Sequence, residues 1–501
     1  MKCRLVLVCV LIALAAAGCR LPSTAIAPSA TAAVSPSAMP AISPSPVAIP
    51  PSAMPAISAS PVAISPSATL AISPSPVATP GTPAAGPQIP GLGINYVYHG
   101  LERYQGETGG TAADYVALQN AKACDLGAGW IRSAGPGDPT SLHWPRVEPQ
   151  PGVFDLSLHD ARVQQSGACG VSLLGHVEFG VVPDYAQVAG TYFDDARYLE
   201  YLNAVVERYD GDGTADMPGL VKPIKFWEIG NEVVVQRNFQ GTPADYAHVL
   251  EISYRAIKSS CPDCEVLIGG WIIGKRDEQR WQRSLDYFGQ VLAAGGGHYF
   301  DIMNYHEYTP GGDFLTYDHV DGFRETMAKY GFQKPIWITE ANTPLVVGGQ
   351  QVATVASQAE DLVKRMVIAF DAGVEVFMWH GLDDVPNGRG VGLVDEEGNP
   401  KPAYYSFQLL AERIGGFSSV EKVDLRKDLF FYRFDIDGQV VHVLWSAAGE
   451  TTLDLSGYFD GAAIELTHTI TATGQSEPDI EMVSSESVPV TETPLFVQVV
   501  P

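Results

Sequence analysis

Phe226-Trp-Glu-Ile-Gly-Asn-Glu232 and Pro335-Ile-Trp-Ile-Thr-Glu340 are two apolar runs that each deliver a carboxylate at their end. Each is too short for a helix and rich in the aromatic and β-branched residues that suit a buried strand. Six more runs of this kind flank them. Together they predict strands at Gly93–Tyr96, Trp130–Ser133, Ser172–His176, Ile224–Ile229, Val266–Gly270, Asp301–Tyr305, Pro335–Thr339 and Val376–His380. Stretches of helical periodicity lie between them, at Ala112–Leu126, Ala196–Tyr209, Ala244–Ser259 and Ser357–Ala372 among others. Eight strands alternating with helices imply a parallel sheet closed into a (β/α)8 TIM barrel over residues 91–415.

In such a barrel the side chains at the C-terminal ends of the strands converge on one mouth. Glu232 and Glu340 follow predicted strands 4 and 7. Two carboxyl groups at one mouth suit hydrolysis of a glycosidic bond, which needs one group protonated and one ionised. Trp130-Ile-Arg132 ends strand 2, and Asn304-Tyr305-His306-Glu307-Tyr308 follows strand 6. The ordered set Arg132, Asn231–Glu232, His306, Glu340 and Trp379 resembles the retaining glycoside hydrolase clan whose barrels carry both catalytic glutamates on strands 4 and 7, the cellulase and β-xylosidase-like clan A. Trp144-Pro-Arg-Val-Glu-Pro-Gln-Pro-Gly-Val-Phe-Asp155 and the segment from Gly392 to Tyr404 are similar to that clan's loop after strand 2 and its barrel-closing segment.

The resemblance covers about residues 91–415. It implies cleavage of β-glycosidic bonds with retention, Glu232 as acid/base and Glu340 as nucleophile. It further implies that Asn231 holds a sugar 2-hydroxyl, that Arg132 supports the nucleophile, and that His306 and Tyr308 lie against it. Trp379 is expected to floor a sugar subsite by stacking. No cofactor and no catalytic metal are implied. Position alone puts His176 and Glu178, after strand 3, on the subsite lining. Asn95, after strand 1, is a weaker candidate of the same kind. Glu228, inside strand 4, reads as structural, facing a helix or paired. Two other functions use the same residues: a lipid-anchored glycan-binding protein that has lost catalysis, and a transglycosylase. Both glutamates are present, which argues for catalysis.

Residues 416–501 lose the helical pattern. Leu429–Phe434, Val440–Trp445, Thr451–Leu455, Ala463–Thr469 and Leu495–Val500 read as short strands, with Asp435-Ile-Asp-Gly438 as a hairpin turn. A small β-sandwich is expected, as a packing module on the barrel or a carbohydrate-binding one, with packing the favoured reading.

The N-terminal region has another texture. Lys2 and Arg4 precede an apolar run, Leu5 to Ala17, too short for a membrane span, which ends in Ala16-Ala-Gly-Cys19. This resembles a bacterial lipoprotein signal over residues 1–18, with Cys19 lipidated and the protein held at the cell envelope. Residues 19–90 are a Pro/Ser/Ala-rich linker in which Pro36-Ser-Ala-Met-Pro-Ala-Ile-Ser43 recurs at Pro51 and, degenerate, at Pro66. As an extended spacer it could reach about 200 Å.

Lys2, Arg4 and Arg20 are the only charged residues before position 91, so the remainder sets 28 basic against 57 acidic residues. Such a surface repels nucleic acid and suits a neutral substrate. A monomer is expected. Cys124, Cys169, Cys261 and Cys264 remain once Cys3 and Cys9 leave with the signal and Cys19 is acylated; Cys261-Pro-Asp-Cys264 reads as a loop disulfide. Asp210-Gly-Asp-Gly-Thr-Ala-Asp216 resembles an aspartate-rich calcium loop, but Val221 stands where an EF-hand has its glutamate. A plain loop without metal is the favoured reading.

Overall fold

Each apolar run of the first part of the chain is a strand in the computed structural model, and each pairs in parallel with the next. The structure describes residues 91–96, 101–133, 135, 138–273, 278–308, 315–384 and 388–500. The signal and repeat segments therefore lie outside the described residues. The barrel strands are β1 (Leu92–Tyr96), β2 (Trp130–Ser133), β3 (Ser172–Glu178), β4 (Phe226–Asn231), β5 (Glu265–Ile273), β6 (Met303–Glu307), β7 (Ile336–Ala341) and β8 (Val374–His380). Each pairs with its successor, and β8 closes on β1 through Asn95 opposite His380. The expected (β/α)8 barrel is present.

All but one of the strands are shifted or extended relative to expectation by one to three residues at an end, and two of these shifts have an identifiable reason. Asp301 precedes β6 because its carboxylate accepts the Val266 N–H at 2.9 Å and so anchors the strand start from the side chain. Ile224 precedes β4, its N–H bonded to Tyr209 O at the end of the preceding helix. The helices follow their sequence signals. Thr111 with Asp114, and Thr242 with Asp245, form capping boxes at the starts of helices Ala112–Asp125 and Pro243–Ser260.

The core has two layers. Trp130, Leu174, Leu267, Ile302, Trp337, Val376 and Met378, with Phe226 against them, fill the barrel interior. Residues of opposite parity, such as Ile131, Trp227, Ile338 and Phe377, join the larger cluster between barrel and helices. Alternation along each strand makes both layers from one sequence run.

Beyond helix Pro402–Ile414 come β9 (Ser419–Lys422), β10 (Leu429–Ile436), β11 (Gln439–Ser446), β12 (Thr451–Leu453), β13 (Ala463–His468), β14 (Ile480–Ser484), β15 (Val488–Val490) and β16 (Leu495–Val499). They form an antiparallel six-stranded sheet, ordered β9-β10-β11-β16-β13-β14, and a β12–β15 pair, as expected of a small β-sandwich. Asp437 and Gly438 both have positive φ and make the predicted hairpin turn. Strands β9, β14 and β15 were not expected. β9 and β14 are largely exposed, so they lack the apolar alternation that marks a half-buried strand. Cys124 is bonded to Cys169, and Cys261 to Cys264 as expected. Among the described residues no helix is long and apolar enough to cross a membrane.

Candidate active site

Two residues beyond six of the barrel-filling side chains comes a polar one. Arg132 follows Trp130, His176 follows Leu174, Glu228 follows Phe226, Asn304 follows Ile302, Thr339 follows Trp337, and His380 follows Met378. Period-two geometry turns that sequence regularity into a polar layer above an apolar plug, at the C-terminal ends of the strands.

Arg132 is the hub of this layer and is fully buried. Its Nε and Nη2 donate to the two oxygens of Glu228 at 2.6 and 2.9 Å. Nη1 donates to Glu340 Oε1 at 2.7 Å, and Nη2 also reaches Asn231 Oδ1 at 3.0 Å. Glu228 additionally accepts the Gly270 N–H at 2.9 Å. Glu228 is thus the paired member of the two alternatives read from sequence. It fixes the guanidinium as a planar fork whose remaining donors point at Asn231 and Glu340.

Glu340 would point out of the barrel if β7 alternated strictly, since Trp337 faces inward and Ile338 outward. The register with β6 slips instead, pairing Tyr305 with Ile338 but His306 with Glu340. Thr339 and Glu340 therefore both reach His306, at 3.2 Å from Nε2 and 3.5 Å from Nδ1. The Tyr308 hydroxyl donates to Glu340 Oε2, and His380 Nδ1 lies 3.7 Å from the same oxygen. Burial alone would push the Glu340 carboxyl up. The facing His306, His380 and Arg132 charges, with the Tyr308 hydroxyl, outweigh it and hold the group well below the usual carboxylate range.

Glu232 arrives by another device. Gly230 and Glu232 both adopt positive φ, 81° and 45°, so the backbone turns sharply as β4 ends. The left-handed region is natural for glycine and strained for glutamate. Among the described residues the side-chain partner of Glu232 is His306, whose Nδ1 lies 3.0 Å from Oε1. A Cβ at Gly270 would collide with the His306 ring, so glycine there is a condition for this placement. One oxygen each of Glu232 and Glu340 and the His306 nitrogen lie within 4.8 Å of one another. A cation at that point would sit against the Arg132 guanidinium, which disfavours a metal and leaves a pair of carboxyl groups sharing one imidazole.

His176 and Glu178 adjoin this group. His176 Nε2 is 3.2 Å from Arg132 Nη2, and its Nδ1 is 3.0 Å from Ser133 O. Burial and the Arg132 charge lower its pKa to about 4, which makes it a neutral ring. Glu178 Oε2 is buried with no partner among the described residues, and burial pushes its carboxyl up to about 8. Asn95 is buried and donates to Thr339 O at 3.2 Å, bracing β7.

Trp379 does not meet its expectation. It is fully buried, packs in the outer layer between barrel and helices, and donates its indole N–H to Val391 O at 3.2 Å. It shares parity with Phe377, not with Met378, so it has no face open to a sugar. The inward side chain at this strand end is instead His380, a residue not among those expected at the site. The Val376, Met378, His380 alternation carried that signal. Of the expected residues, Arg132, His176, Glu178, Asn231, Glu232, His306, Tyr308 and Glu340 come together, and Glu228, His380 and Thr339 join them.

No protein-family model matches this sequence, and no curated protein matches it. Solved structures do. A family 39 glycoside hydrolase from Bacteroides cellulosilyticus WH2 aligns with a TM-score of 0.58 at 16% identity, over 82% of this chain and 81% of that one. A family 39 β-xylosidase from Caulobacter crescentus gives 0.57 at 17%, over 83% and 98%. An α-L-arabinofuranosidase from Thermotoga maritima gives 0.53 at 14%, over 82% and 97%. This chain thus shares the fold of clan A glycoside hydrolase structures, at identities where likeness speaks to fold alone.

Proposed function

We propose that this protein is a retaining glycoside hydrolase that cleaves β-glycosidic bonds of an oligo- or polysaccharide, with Glu232 as acid/base and Glu340 as nucleophile. The observation that carries this is the approach of the two carboxyl groups to within 4.8 Å, oxygen to oxygen, at one barrel mouth. Retaining enzymes hold their carboxyl groups about 5–5.5 Å apart, whereas inverting ones leave about 6.5–9.5 Å for a water. Structural likeness to glycoside hydrolases supports the same reading.

The surroundings of Glu340 suit a nucleophile. Glu340, held ionised by Arg132, His306, His380 and Tyr308, attacks the anomeric carbon. Glu232 gives its proton to the departing glycosidic oxygen as that bond breaks. Water then attacks the glycosyl ester while Glu232 takes up its proton, so Glu340 leaves and the starting configuration is restored. Asn231, which accepts from Arg132 at 3.0 Å, would hold the sugar 2-hydroxyl. Glu178, as a buried neutral acid, can donate to another hydroxyl, and His176 and Tyr308 complete the lining. The acidic chain favours a neutral glycan over nucleic acid. A lipid on Cys19 and the repeat linker would tether a monomeric enzyme at the outer face of the cell envelope.

The decisive experiment is hydrolysis of a panel of aryl β-glycosides and β-glucans, followed by Glu340→Ala. The variant should lose turnover, and added azide should restore it with a glycosyl azide of inverted configuration. A well-folded wild-type protein that cleaves no member of the panel would sink the proposal.

A further inference from the structure

The loop Asp210 to Asp216 lies between helix Asp195–Tyr209 and β4, at the end of the barrel opposite the candidate site. Asp210 is the C-cap of that helix and is fully buried. Its Oδ1 accepts the Asp212 N–H at 3.2 Å, which turns the carboxylate into the loop. Its Oδ2 is buried without a hydrogen-bond partner among the described residues. One carboxylate oxygen each of Asp210, Asp212 and Asp216 lies within 4.8 Å of the others.

This is a costly arrangement for a protein alone. A buried carboxylate oxygen without a partner forfeits its hydration. Two further carboxylates raise the cost, and the negative end of the helix dipole raises it again. No ion pair to Lys or Arg relieves the three carboxylates among the described residues. Gly211 and Gly213 are left-handed, and their N–H groups bond Asp216 at 3.0 and 2.9 Å, which folds the loop around its acidic centre.

We infer that Asp210, Asp212 and Asp216 bind a divalent cation of the calcium class, with the buried Asp210 Oδ2 as its innermost ligand. Calcium takes six to eight oxygens at about 2.3–2.6 Å in flexible geometry. Three carboxylates from a short loop, completed by backbone carbonyls and water, fit that demand. The cation's role is to hold the helix end against the start of β4, so it acts on stability and not on turnover.

The test is calorimetric titration of the chelator-treated full-length protein with calcium chloride, paired with thermal melts in calcium and in EDTA. One site per chain is expected, with Tm about 3 °C higher when calcium is present at a hundred times its Kd. Asp210→Asn, which keeps the shape and halves the acceptor strength, should abolish the heat and the calcium-dependent shift. No heat in wild type, with equal Tm in calcium and EDTA, overturns the assignment. So does undiminished calcium binding in both Asp210→Asn and Asp216→Asn, or a response to magnesium alone. None of these readouts depends on hydrolysis.

Discussion

Arg132 spends two donors on Glu228 and offers the rest to Asn231 and Glu340. Its charge, with Tyr308, His306 and His380, sets the state of Glu340. Tyr308→Phe removes one donor from that set without emptying the site. Turnover should fall about 100-fold, and the acidic limb of the kcat/KM profile should move to higher pH; an unmoved limb would show that Tyr308 does not act on Glu340. Glu178 invites a different measurement. Its folded pKa, about 8, lies above the ordinary carboxylate value. The folded protein therefore keeps a proton that the unfolded chain loses, and wild type gives up stability as pH rises from 5 to 8. Glu178→Gln has no such proton to lose. Urea melts should show the variant gaining on wild type across that interval, and a constant difference would contradict the buried acid.

At the scale of single elements, the sequence exposed most of the barrel and hid two orientations. Each strand is an apolar run flanked by helical periodicity, and runs of that kind can be read locally. Which face a residue occupies depends also on pairing with neighbours. The slip between β6 and β7 brings Glu340 inward, and it left no mark in the residues of β7 themselves. Trp379 was misplaced for a related reason: its type suggested stacking, while its parity with Phe377 pointed outward. That parity gives a prediction. Trp379→Ala should cost about 3–5 kcal/mol of stability and leave KM for an aryl glycoside within about twofold of wild type at a temperature where the variant stays folded. A large KM rise in a stable variant would restore Trp379 to the subsite. Glu228 shows the opposite limit. Its buried pairing was one of two readings, and only the juxtaposition of β2 and β4 chose between them.

Across the whole molecule, barrel and β-sheet unit share one core. Tyr432, Phe434, Val441, Val443, Trp445 and Phe496 of the sheet belong to the same buried cluster as the barrel helices. The Tyr317 and Tyr432 hydroxyls meet at 3.3 Å, and Ser406 Oγ donates to Ile470 O at 2.7 Å. The two units should unfold together, and scanning calorimetry should show a single transition. Two separate peaks would mean that the shared cluster does not couple them. The disulfides differ in reach. Cys124–Cys169 closes a separation of 45 residues and Cys261–Cys264 one of 3. By loop entropy the first is worth about 4 kcal/mol and the second about 1.5 kcal/mol. Replacing the first pair by serine should lower the urea midpoint more than replacing the second.

Position 232 carries a consequence for anyone who breeds this protein for heat resistance. A glutamate is held there at φ 45°, where glycine or asparagine would rest more easily. Relaxing it lowers the energy of the native state and removes a carboxyl group from the barrel mouth in one substitution. A library screened only for survival of the fold should accumulate changes at this codon. The sturdiest clones would then be the silent ones, unless each round also demands turnover.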